Sequence, residues 1–215
     1  SKQKFYPPID VFKYQIIDYN CKDYRPQIWR LLTNAVLHKN FTHVFGNILG
    51  FICITSFLEF LNNSYTLFVI FCIGMVSGNV MTVTLEPHKI LIGCSHGVYA
   101  LYGSVVPHYV THFKLLSRPF IYFIYFTFFI QLGLDALNYF YNYNKTIAYE
   151  AHVTGLISGI ISGFALFEHK HMKTKTICML ILILAFIVGG SYYIANWYPK
   201  PLFEFYEDKL SEFCN

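Results

Sequence analysis

Three short stretches carry the residue types of acyl-transfer chemistry. The first is Gly93-Cys94-Ser95-His96-Gly97, which sets a serine just behind a glycine turn at the mouth of an uncharged stretch. The second is Ala151-His152-Val153-Thr154-Gly155, and the third runs from His38 through His43 to Asn47. A serine hydroxyl is a poor nucleophile at neutral pH and needs a base, and histidine titrates close enough to neutrality to serve. Ser95 is therefore expected to be the nucleophile and His152 the general base and later general acid. His96 cannot serve its own neighbour, because adjacent residues on a helix point about 100° apart. The oxyanion of a tetrahedral intermediate needs donors worth roughly 3 to 4 kcal/mol each. His43, Asn47 and the backbone N–H of Ser95 are the candidates. Asp135 reads at least as well as a buried structural hydrogen-bond acceptor as a catalytic carboxylate, and Glu150 reads as a solvated or helix N-terminal carboxylate, so a Ser-His dyad is expected rather than a triad. No His-Glu-x-x-His occurs, so neither a metal nor another cofactor is expected.

Composition says what must position these groups. Of 215 residues 55% are hydrophobic and 20% aromatic, while only 13% are charged, which is too apolar for an ordinary soluble domain. The expected fold is an all-α integral membrane protein, a polytopic helical bundle. A hydrocarbon core takes about 20 apolar residues in a helix, and six stretches approach that: 42–61, 65–85, 95–113, 119–139, 150–167 and 176–197. The net charge of +4 forms no compact basic face, so nucleic acid is not an expected partner. Lys114, Arg118, Lys170, Lys173 and Lys175 fall on one side of a six-span chain, which should be cytoplasmic. The other side, lumenal or extracellular, would hold the candidate site and the sequons at Asn40 and Asn144. Cys21 and Cys214 would share that side, where a disulfide is possible. No signal-peptide pattern begins the chain.

The spans arrange the site. His43 and Asn47 are one turn apart and share a helix face. Gly74 and Gly78 have the spacing of a close helix contact, with nothing chemical nearby. The loop Glu86-Pro87-His88-Lys89 re-enters toward Ser95, so a wet pocket is expected above the serine. Ser95, Tyr99 and Gly103 share one face of their span, with Tyr99 placed to buttress the site. Gly155, Gly159 and Gly163 line the histidine span, and docking them on the Tyr99/Gly103 face would bring His152 beside Ser95. The aromatic span 119–139 should face lipid, and the last span reads as an anchor. Four segments result: a membrane-surface segment 1–41, a catalytic helical core 42–167, a cytoplasmic loop with an additional transmembrane helix 168–198, and a tail 199–215 on the lumenal or extracellular side.

Together these stretches resemble the rhomboid intramembrane serine proteases. The resemblance lies in Gly93-Cys94-Ser95, in Ala151-His152-Val153-Thr154-Gly155, in the His38, His43, Asn47 series and in the pair Trp29-Arg30. It implies a dyad of Ser95 and His152, with His43 and Asn47 at the oxyanion. It also implies supporting roles for Tyr99, His38 and Gly93. The implied substrates are single-pass transmembrane proteins, which enter from the bilayer past the aromatic helix and are cut near the lumenal face. The span after the histidine helix is similar to that of secretase-type members, which have six core helices plus one. On that pattern the family's first helix is missing from this chain. His96 stands where the family usually has glycine, and the expectation is that its imidazole crowds the mouth of the site. The alternative reading is a weak or silent relative that binds transmembrane clients and controls their trafficking. A transporter is disfavoured because the polar residues gather at one end of the spans rather than through the bilayer.

Overall fold

The computed structural model describes residues 26–60, 62–85, 91–112, 118–140, 147–167 and 173–196. Seven α-helices occur among them. They are α1 (Arg30–Thr33), α2 (Phe41–Leu58), α3 (Ser64–Leu85), α4 (Ser95–His112), α5 (Arg118–Phe140), α6 (Tyr149–Leu166) and α7 (Lys173–Asn196), with a 3-10 turn at Asn34–Val36 after α1. The last six coincide with the six expected spans to within a few residues, and the fold is the all-α bundle expected of a membrane protein. The proposed Cys21–Cys214 pair, the Asn144 sequon, the Glu86–Lys89 loop and the Asp135 side chain lie outside the described residues.

Local sequence accounts for the helix starts. The Asn40 side chain accepts from the His43 N–H at 2.9 Å and so caps α2, an interaction worth about 1 kcal/mol. Asn63 does the same for Thr66 at the head of α3, at 2.8 Å. The Cys94 carbonyl accepts the first intrahelical bond of α4, from Val98 at 3.1 Å. Ser95 is thus the first residue of α4, and its own N–H has no acceptor within the helix.

Among the described residues, three helical segments are long and apolar enough to cross a membrane by length and composition alone. They are Phe41–Leu58, Ser64–Leu85 and Ile177–Asn196. The described apolar stretch of α5 is shorter, Ile121–Gly133. Helices α4 and α6 match α2 in length, at 18 residues each, but carry serine, glycine and histidine on inward faces. They can do so because they pack chiefly against protein. A helix screened from lipid needs less apolar surface than one that meets it.

At the centre α4 is clamped between α3 and α6. A Cβ added at Gly155 would fall 2.3 Å from the His96 carbonyl oxygen, and one at Gly159 only 1.9 Å from that of Ala100. From the other side, a Cβ at Gly103 would fall 2.2 Å from the Leu156 carbonyl oxygen. The glycine face of α6 and the Gly103 side of α4 therefore meet backbone to backbone, as the spacing suggests. Gly74 of α3 lies against Ala100, and Gly78 against His96 and Ala151. With little hydrophobic drive between helices in lipid, such close contact supplies the packing energy. α7 seats Gly190 on Val80 of α3 and leaves Ile181, Leu182, Val188 and Tyr192 exposed. On α5, Ile121 and Ile124 turn inward while Tyr122, Phe126 and Phe129 are exposed. An exposed aromatic surface is what the expectation of a lipid-facing helix requires.

Candidate active site

The N-terminal ends of α2, α4 and α6 lie at one end of the bundle, and there the structure brings the site residues together. Ser95 Oγ lies 2.8 Å from His152 Nε2, within the reach that proton transfer requires. The His152 ring stacks on Tyr99, with centroids 4.5 Å apart and planes 9° from parallel. Tyr149 meets the same ring edge-on at 6.5 Å. Both Tyr99 and His152 are buried, so two aromatic rings limit how the imidazole can turn. A base held in one orientation toward its hydroxyl is the geometry in which histidine activates serine.

Gly93 forms the turn in front of Ser95 with φ 102°, the left-handed region that glycine enters without steric cost. No side chain would fit there in any case, since a Cβ would fall 2.8 Å from His43 Cε1 and 3.0 Å from His43 Nε2. Asn47 Nδ2 is 3.7 Å from the same point. The His43 imidazole and the Asn47 amide therefore flank the backbone two residues before the serine. The Lys39 N–H approaches His43 Nδ1 at 3.4 Å, which leaves Nε2, the nitrogen nearer Gly93, as the donor of a neutral ring. Asn47 is buried, and its side-chain N–H group has no hydrogen-bond partner among the described residues. Unpaired buried donors are uncommon and call for an explanation. An oxyanion formed beside Ser95 would supply one.

His38 packs edge-on against His43, with centroids 5.0 Å apart, and its Nε2 lies 3.6 Å from Cys94 Sγ. Burial lowers its pKa below the usual histidine value, and a hydrogen bond with the backbone at Val36 offsets part of this. Burial thus disfavours the charged form of His38 where it packs against His43. Trp29 and Arg30 contact each other, the guanidinium 4.8 Å from the indole centroid. Arg30 Nε donates to Gln27 Oε1 at 2.6 Å.

The expectation that His96 crowds the mouth does not hold. Its side chain is 4% exposed and packs between α3 and α6, with its Cβ 3.0 Å from the point that a Cβ on Gly78 would occupy. The turn of the helix that sends Ser95 toward His152 turns its neighbour about 100° away, into the contact between α3 and α6. Its Nε2 has no hydrogen-bond partner among the described residues. His96→Gly is therefore expected to lower stability by about 1–3 kcal/mol through the void it leaves, without raising turnover. Thermal unfolding and cleavage assays read the two effects separately. A faster enzyme would restore the obstruction.

Sequence reasoning also passed over Asn34 and Asn79. Both are buried and pair with each other, and neither lies in a motif that spacing could expose. The one available signal was a lone amide in the apolar span 65–85, where polar groups are costly.

A bundle of apolar helices with a part-buried serine–histidine pair at one end defines an integral membrane protein. Residues 25–169 match the Rhomboid domain family model, and the chain belongs to the rhomboid family. It is 24% identical over 169 residues to Rhomboid-related protein 1 of Caenorhabditis elegans, covering 75% of this chain and 48% of that protein. It is 24% identical to Rhomboid-related protein 2 of Mus musculus, over 69% of this chain and 51% of that one. Inactive rhomboid-related protein 2 of Caenorhabditis elegans is 25% identical, over 66% of this chain and 42% of its own length. The chain spans about half the length of these curated relatives.

Proposed function

We propose that this protein is an intramembrane serine endopeptidase that cleaves single-pass membrane proteins within or beside their transmembrane helices. The observation that carries the reading is the 2.8 Å approach of Ser95 Oγ to His152 Nε2. His152 takes the hydroxyl proton as Ser95 attacks the scissile carbonyl, then delivers it to the leaving amine, and a water molecule hydrolyses the acyl-enzyme by the same route in reverse. Asn47, His43 Nε2 and the Ser95 N–H donate to the oxyanion, in a setting where water competes little. Tyr99 keeps the imidazole in plane through both proton transfers. The cleavage site lies toward the lumenal or extracellular side, by the loop-charge reasoning above.

The second reading, a silent client-binding relative, is favoured by the similarity to a protein named as inactive. The two readings separate at Asn47. Asn47→Ala removes one oxyanion donor and is expected to lower kcat about 10²- to 10³-fold while KM changes little. Steady-state cleavage of a single-pass reporter in liposomes measures both. A wild-type chain that retains the reporter without cutting it would favour the silent reading.

A further inference from the structure

We infer that Asn34 and Asn79 are positioning residues for the active centre, acting through the Gly93 turn; this rests on the protease reading above. Both side chains are fully buried. The Asn34 amide donates to Asn79 Oδ1 at 3.3 Å, and the Asn79 amide donates back to Asn34 Oδ1 at 3.2 Å. Asn79 also donates to the Leu31 carbonyl at 2.5 Å. Its two N–H bonds and its oxygen are thus all engaged, and they hold α1 and the 3-10 turn to the C-terminal half of α3.

The next link is backbone. The Asn34 carbonyl accepts from the Gly93 N–H at 3.1 Å, a contact across 59 residues of chain that joins the 3-10 turn to the loop before α4. Gly93 is the left-handed residue that lies against His43 and Asn47, two positions ahead of Ser95. A continuous series of contacts therefore runs from α3 through Asn79, Asn34 and Gly93 to the place where nucleophile and oxyanion donors must meet. Neither asparagine touches the reacting atoms.

The surroundings suggest why polar groups occupy these sites. Leu31, Val80, Val83 and Leu91 form an apolar cluster at this junction, which could pack against aliphatic residues equally well. Aliphatic contacts tolerate sliding, whereas a reciprocal amide pair is satisfied in one register, and a buried unpaired amide is costly. The pair therefore sets where α1 and the turn sit on α3, and with them the height of Gly93 relative to His43 and Asn47.

The test uses the full chain in liposomes with the single-pass reporter, comparing wild type, Asn34→Leu, Asn79→Leu and the double variant. Each single variant strands its partner's amide and is expected to lower both the thermal midpoint and kcat. The double variant strands neither side chain and is expected to regain most of the thermal midpoint. Its kcat should stay about tenfold or more below wild type, because a misplaced site is slow even when folded. KM and the pH profile should be unchanged, since neither residue binds substrate nor titrates. Recovery of kcat together with the thermal midpoint would reduce the pair to a structural contact and overturn the inference. Should the double variant not fold, Asn79→Ser decides, because a hydroxyl cannot reach both Leu31 and Asn34. A tenfold loss of kcat measured well below the thermal midpoint of the variant, where it remains folded, supports positioning, and wild-type kcat refutes it. An uncleaving wild type would sink the protease reading and this inference with it, whereas a fully active double variant sinks only the inference.

Discussion

Ser95→Ala and His152→Ala are each expected to abolish reporter cleavage, a loss of about 10⁴-fold or more in kcat, with the double variant no worse than either single one. The magnitude follows from the geometry. The hydroxyl and the imidazole nitrogen are 2.8 Å apart, and the described residues supply no second base at the serine, since His96 points into the α3–α6 interface. Without the hydroxyl there is no acyl-enzyme. Without the imidazole the hydroxyl keeps its proton. In the proposed mechanism the two losses overlap because the residues perform one step together. They differ in stability: Ser95→Ala removes one oxygen, while His152→Ala also removes the ring stacked on Tyr99 at 4.5 Å. A lower thermal midpoint is expected for His152→Ala alone. Cleavage surviving Ser95→Ala would place the nucleophile elsewhere.

The second large effect lies away from the chemistry. Gly159→Val is expected to lower kcat by about 100-fold or more and to destabilise the protein by about 3 kcal/mol. A Cβ there falls 1.9 Å from the Ala100 carbonyl oxygen and 2.6 Å from its Cα. These are backbone atoms within a helix and cannot rotate aside, so α6 must withdraw from α4 by more than an ångström. His152 is seven residues, two turns, before Gly159 on the same face of α6. Parting the helices at Gly159 therefore draws His152 away from Ser95. Gly189→Ala is the control, since nothing lies within 4 Å of a Cβ on Gly189. Cleavage rates and thermal midpoints of the two variants make the comparison. A Gly159→Val protein with wild-type kcat would mean that the helix contact does not set the dyad distance.

The glycine contact was readable from the sequence because it is periodic. Gly155, Gly159 and Gly163 recur every four residues, and that spacing places them on one face whatever surrounds the helix. The span positions were readable for a similar reason: apolar length is a local property. The spacing of His43 and Asn47 likewise put both on one side of α2, and the structure sets that side against Gly93. What local pattern could not give was the partner of each face. The lower hydropathy of α4 and α6 becomes intelligible only once they are seen packed at the centre, where neighbours replace lipid.

His96 and Asn79 show where the boundary falls. From the sequence, His96 is a bulky residue beside a nucleophile, and crowding was the natural inference. Its direction depends on the angle at which α4 enters between α3 and α6, a quantity set by contacts between residues far apart in the chain. Asn79 is an isolated amide in an apolar span, and its two partners, Asn34 and Leu31, are 45 and 48 residues away. The sequence alone determined the residue types of the site, the helices that carry them and the faces they occupy, since these follow from local composition and the 3.6-residue turn. The tertiary structure alone decided the 2.8 Å dyad contact, the burial of His96 and the register of the Gly93 turn, because each depends on the docking of distant helices.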